Sequence, residues 1–182
     1  IVDKPAAAGE YVLYWMQQAQ RTRGNHALEY AVEQADLLRL PVLVYFGLAA
    51  DFPDANLRHY AFMLDGLRVV ARNLQKRGIG FALQACSPPD GALARARNAA
   101  LVVTDRGYLR IQRAWRSRLA RGCPCPLIEV ESDVVVPVET ALHKEAYSAA
   151  VLRPKITKLL PVFLVPLENR APRIRMSRVP AD

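Results

Sequence analysis

The sequence predicts an α/β fold: a five-stranded parallel sheet in the order 3-2-1-4-5, with helices on both faces. Two observations carry this. Short apolar runs of strand length alternate with amphipathic segments of helical period. The runs are apolar almost throughout, as strands covered on both faces require. Right-handed crossovers follow from the class, and the strand order is an expectation of the class.

The elements run in order. "YVLYWM" (11–16) is the first strand. In "NHALEYAVEQADLL" (25–38), Ala27, Leu28, Ala31, Ala35 and Leu38 share a helical face, and Asn25 is the N-cap. Pro41 opens a second strand, "VLVYF" (42–46). Residues 56–78 form a long amphipathic helix with Leu57, Tyr60, Ala61, Leu64, Leu67, Val70 and Ala71 at its period and Gly78 at its end. "IGFALQA" (79–85) is the third strand, 87–99 a turn and short helix, and "ALVVTD" (100–105) the fourth strand. A helix over 108–122 ends at a glycine, and "PLIEVES" (126–132) is the fifth strand. Residues 133–138 read as a short β-like run. Beyond them come a polar loop, a helix broken at Pro154 and Pro161, and an Arg- and Pro-rich tail expected to bury little apolar surface. This gives an α/β domain over 1–138, then a helix and linker over 139–182 leading to a further domain.

Composition narrows the class. The chain has 182 residues, 52% hydrophobic and 23% charged, enough for one domain with a real core. No apolar run approaches the roughly 20 residues of a membrane span. The start, "IVDKPAAAGEY", lacks the basic-then-apolar pattern of a signal peptide. Cys86, Cys123 and Cys125 form no even framework and no four-ligand metal set, so they read as thiols of a reducing cytoplasm. The net charge of +8 suggests a polyanion partner, but on charge alone the arginines read slightly better as solvated helix faces.

In such sheets ligands sit beyond the carboxyl ends of the strands, where the order reverses. Here that is the loop after Met16 and the loop after Thr104. Neither carries a GxGxxG or GxxxxGK[ST] phosphate motif. The first offers Gln17, Gln18, Gln20, Arg21, Arg23 and a helix N-terminus; the second offers Asp105 and Arg106. An Asp105 pair with Arg21 or Arg106 reads equally as structural ion pair and as ligand contact. Trp15 and Trp115 read as core, His26 as a helix-start residue, and the Arg58–His59 pair as a surface or interhelical contact. No nucleophile arrangement or carboxylate pair suggests hydrolysis, so no residue is assigned a catalytic role.

Four blocks carry a family resemblance: "YVLYWMQQAQRTRGNHALEYAVEQA", "DFPDANLRHYAFMLDGLRVVARNLQKRGI", "VVTDRGYLRIQRAWR" and "ESDVVVPVETALHKEAYSAAVLRPKI". In this order, and over almost the whole chain, they resemble the N-terminal domain of class II DNA photolyases, which repair cyclobutane pyrimidine dimers. The resemblance implies a Rossmann-like domain able to hold an antenna chromophore, 8-hydroxydeazaflavin or a folate. It implies as partners a following helical domain that binds FAD, and UV-damaged DNA in the full-length context. That helical domain is outside this sequence, so the chain alone is expected to lack repair activity. Geometry and resemblance together nominate Trp15, Met16, Gln17 and Arg21 for one wall of the crevice, with Gly47 and Leu48 after the second strand. Asp105, Arg106 and Leu109 form the facing wall, and Lys155, in the "RPKI" block, approaches from the last helix. A stand-alone binding module for a nucleotide or flavin-like ligand is the competing reading.

Overall fold

Five parallel strands, β1 (Tyr11–Trp15), β2 (Val42–Leu48), β3 (Gly80–Ala85), β4 (Ala99–Asp105) and β5 (Leu127–Val130), form one sheet in the order β3-β2-β1-β4-β5. This is a computed structural model, and it describes residues 5–180. All residues of β1 and β4 are buried, which is why their sequences show no two-residue alternation. The side chains still alternate in space. Val12, Tyr14, Val44, Phe46 and Val103 face a core shared with α1 (His26–Leu38) and α2 (Leu57–Arg77). Leu13, Trp15, Leu43, Tyr45 and Val102 face the core under α3 (Pro88–Ala96) and α4 (Arg110–Gly122).

Local chemistry places the helix ends. Asn25 caps α1 by accepting from the Leu28 N–H, and Asn56 caps α2 in a capping box with His59. Gly78 ends α2 at φ 80°, a left-handed conformation that favours glycine. Lys76 and Arg77 in the last turn of α2 complement the helix dipole.

Some boundaries move. β2 runs on through Gly47 and Leu48, because these pair with Gln84 and Ala85 of β3. β5 and α4 are shorter than their patterns suggest.

Two expectations are corrected, and a third is extended. Residues 133–138 form no strand, despite their valines. The two residues just before it hold helix starts instead: the Ser132 hydroxyl accepts the Ala27 N–H of α1, and the Glu131 carboxylate accepts the Val138 N–H that begins α5 (Val138–Ala141). The last helix is not broken: α6 (Ala149–Phe163) continues through Pro154 and Pro161. No α6 residue is buried, so water can solvate carbonyls left without a helical donor. Finally, the tail docks. The N–H groups of Arg170 and Arg173 donate to Glu29 and Asp36 on α1, and that of Met176 donates to the Gly78 carbonyl. Met176 and Val179 pack on the core at the β3 edge, where a Cβ on Gly80 would lie 2.8 Å from Met176 Cγ. The composition hid this because the apolar contacts come from two residues among many charges.

Candidate functional site

The order reverses between β1 and β4, so the loops after Trp15 and Asp105 lie side by side. Asp105, the buried last residue of β4, fills the space between them. Its Oδ2 accepts the backbone N–H groups of Gln17, Gln18 and Ala19 at 2.9, 2.8 and 3.1 Å. Its Oδ1 accepts the Tyr14 hydroxyl at 2.8 Å. Burial raises the Asp105 carboxyl above its ordinary value, against the opposing pull of these donors. Burial, and then the Asp105 charge, raise the Tyr14 hydroxyl well above its own.

Consecutive N–H groups of this kind make an anion cradle. Here the cradled anion belongs to the chain itself. The start of α1 is likewise satisfied internally, by Ser132 and Asn25. Neither arginine pairs with Asp105. Arg21 reaches the carbonyls of Gly24 and Ser132 and lies 3.7 Å from the Asp133 carboxylate, whereas Arg106 pairs with Glu139.

Beside this closed switch point, a cavity of about 310 Å³ opens beyond the carboxyl ends of β1 and β2. Met16 and Phe46 contribute from the strand ends, Tyr60 and Met63 from α2, Trp115 from α4, and Phe52 from the β2–α2 loop. Phe52 meets Trp115 edge to face, with ring centroids 6.2 Å apart. The Tyr60 hydroxyl donates to the Ala49 carbonyl at 2.9 Å and accepts the Phe52 N–H at 3.2 Å, which fixes that loop. Gln112 Nε2 donates to Gln18 Oε1 at 2.8 Å across the rim. Gly47 is required: a Cβ there would lie 2.6 Å from Pro88 Cα.

The informative polar group is Gln17. Both polar atoms of its carboxamide are buried without a hydrogen-bond partner among the described residues, and Gln17 lines the cavity. Neither atom meets the cavity space in this position, but a turn of the side chain would present an adjacent donor and acceptor to a planar ring that carries an N–H and C=O. Among the described residues, no cluster of three or more His, Cys, Asp or Glu side chains is placed to hold a metal ion.

Of the nominated residues, Met16, Gln17, Gly47 and Leu48 line this cavity. Trp15 is fully buried in the core on the α3–α4 side. Arg21 and Asp105 belong to the adjoining loop network, and Arg106 to the Glu139 pair. Leu109 is 56% exposed at the start of α4, and Lys155 stands on the exposed helix α6. The sequence reading left out Trp115, His59, Phe52 and Tyr60, which also line the cavity. The available signal was Gln112 and Trp115 three residues apart on one face of an amphipathic helix, but that pattern does not say what the face covers.

The fold and cavity together define a parallel α/β domain with an apolar cavity beyond the carboxyl ends of its strands. The family is then specified by comparison: the DNA photolyase family model matches residues 12–173, and the chain belongs to that family. It is 51% identical over 168 residues to the deoxyribodipyrimidine photo-lyase of Methanothermobacter thermautotrophicus, covering 92% of this chain and 38% of that protein. It is 36% identical over 156 residues to the deoxyribodipyrimidine photo-lyase of Potorous tridactylus, covering 84% of this chain and 29% of that protein. The chain therefore spans between 29% and 38% of the length of these relatives. Its fold is similar to that of an archaeal photolyase from Sulfolobus tokodaii with two FAD molecules, with TM-score 0.66, 14% identity, and 81% of this chain and 34% of that one covered. No described helix is long and apolar enough to cross a membrane.

Proposed function

We propose that this chain is the antenna-chromophore domain of a class II deoxyribodipyrimidine photolyase. It would hold 8-hydroxydeazaflavin or a folate in the cavity beside Gln17. When bound, such a group absorbs light and passes the excitation to a second chromophore. In the longer protein that acceptor would be FAD in a helical domain, and the substrate would be UV-damaged DNA. The observation carrying the proposal is the Gln17 carboxamide, buried and unpartnered at the wall of an apolar cavity. Both candidate groups are flat heteroaromatic rings with an amide-like edge, which Gln17 would read with one donor and one acceptor. Trp115 and Phe52 would contact the ring, and the Phe46–Met63 side of the cavity would keep water from it. The Asp105 contacts speak against a nucleotide module, because the amides that would take its phosphate are already occupied.

Titration of the 182-residue chain with 8-hydroxydeazaflavin, and separately with a folate, tests this through the visible absorption band and its fluorescence. The expected result is saturable one-to-one binding of one of the two, weakened about tenfold in Gln17→Leu, as the loss of one or two net hydrogen bonds implies. Failure of both to bind more tightly than about 1 mM would overturn the proposal.

A further inference from the structure

Helix α4 turns Gln112, Trp115 and Leu119 inward and leaves its other face in water. Along that face stand Arg110, Arg113, Ser117 and Arg121, spaced three, four and four residues apart and all exposed. The helix contains no acidic residue. The arginines at the flanks of the stripe are partnered: Arg116 with Glu129 at 2.7 Å, and Arg118 with Asp90 at 2.7 Å. No carboxylate among the described residues lies within 4.0 Å of Arg110, Arg113 or Arg121. The small residues Ala114 and Ser117 lie between them, so a partner surface can come close. Arg110 also sits in the first turn, where the helix dipole opposes a cation but favours an anion.

We infer that the outward face of α4 is a phosphate-contacting surface for double-stranded DNA, carried by Arg110, Arg113 and Arg121. The stripe is about 16 Å long at 1.5 Å per residue, roughly five base-pair steps along one strand. Guanidinium forks suit phosphate oxygens. The contacts are to the backbone, so they carry no sequence preference. In a chain of net charge +8, this is a directional surface rather than a diffuse excess. The inference does not depend on a bound chromophore.

The test is fluorescence anisotropy of the 182-residue chain on an undamaged duplex of about 20 base pairs, across a salt series from about 50 mM upward. Three phosphate contacts predict that log K falls against log salt with a slope of about −2.7. The triple variant R110Q/R113Q/R121Q should lose at least about tenfold in affinity at the lowest salt and most of that slope. R110K/R113K/R121K should keep most of both, because the charge remains. The control R23Q/R58Q/R72Q removes the same charge from exposed positions elsewhere and should cost less than about threefold. Equal losses in the two Gln triples would assign binding to net charge and overturn the inference. A wild-type slope shallower than about −1 would overturn it without reference to any variant.

Discussion

Replacing Asp105 tests how the switch point is held together. Asp105→Ala removes the acceptor of four donors: three consecutive N–H groups and the Tyr14 hydroxyl. A buried donor left unpaired costs about 1–3 kcal/mol. Gln17 and Gln18 are only half-buried, so water can replace part of the loss, whereas Ala19 and Tyr14 are fully buried. Removing the carboxylate also relieves its own desolvation. The expected net loss is about 3 kcal/mol, or about 1.5 M in urea midpoint for an m-value near 2 kcal/mol/M. Asp105→Asn can keep its oxygen on the three N–H groups and turn its amide to Tyr14, so it should lose only about 1 kcal/mol. Urea unfolding of the 182-residue chain, followed by far-UV circular dichroism, reads both. Arg21→Gln and Arg106→Gln should each stay within about 0.5 kcal/mol of wild type, because their ion pairs are partly exposed and lie elsewhere. An Asp105→Ala loss as mild as these two, or an arginine variant that matches it, would show that Asp105 does not hold the switch point together.

Further outcomes follow from the same contacts. The folded-state carboxyl of Asp105 is raised, so the folded chain binds more protons between the ordinary value of 3.8 and the raised one. Its contribution to stability is therefore full below pH 3.8 and declines as pH rises through the raised value, and a pH series should show this decline reduced in Asp105→Asn. Arg77→Met should cost about 3 kcal/mol by thermal unfolding, because Glu29, with its side chain 8% exposed, loses the Arg77 Nη2 group shared between its two oxygens at 2.8 and 3.0 Å. Adding Glu29→Gln should recover a measurable part of that loss. Gly47→Ala should lower stability by about 1–3 kcal/mol, read as a shift in Tm, since its Cβ meets the backbone of Pro88 at 2.6 Å. Met176→Ala should speed tryptic cleavage within residues 170–178, because it removes a tail anchor from the β3 edge. An unchanged cleavage rate would count against the docked tail.

The sheet was legible because β1 and β4 write burial on both faces as unbroken apolar runs. Helix α2 was legible from its period and its terminal glycine, Gly78. Elsewhere local preference misled. The valines of 133–138 favour a strand, but the segment forms none, and Glu131 and Ser132 just before it bond to the starts of α5 and α1. Pro154 and Pro161 signal breaks, but an exposed helix tolerates them more readily than a buried one. At the site, Met16, Gln17, Gly47 and Leu48 could be placed because topology alone puts strand ends and their loops together. Phe52, His59 and Trp115 could not. Their meeting depends on how α2 and α4 rotate about their axes and on the path of the loop after β2, which no local pattern encodes.

The carboxylate lodged among the Gln17, Gln18 and Ala19 amides has a consequence for recognition. Where a turn is ordered only by its incoming ligand, association must include the entropy of ordering it. Here an internal counterpart holds the turn already. The backbone that presents Gln17 is therefore preorganised before any guest arrives, and binding has little loop freedom left to remove. For the chromophore proposed above, selectivity would then rest on shape and on its amide edge, not on its charge.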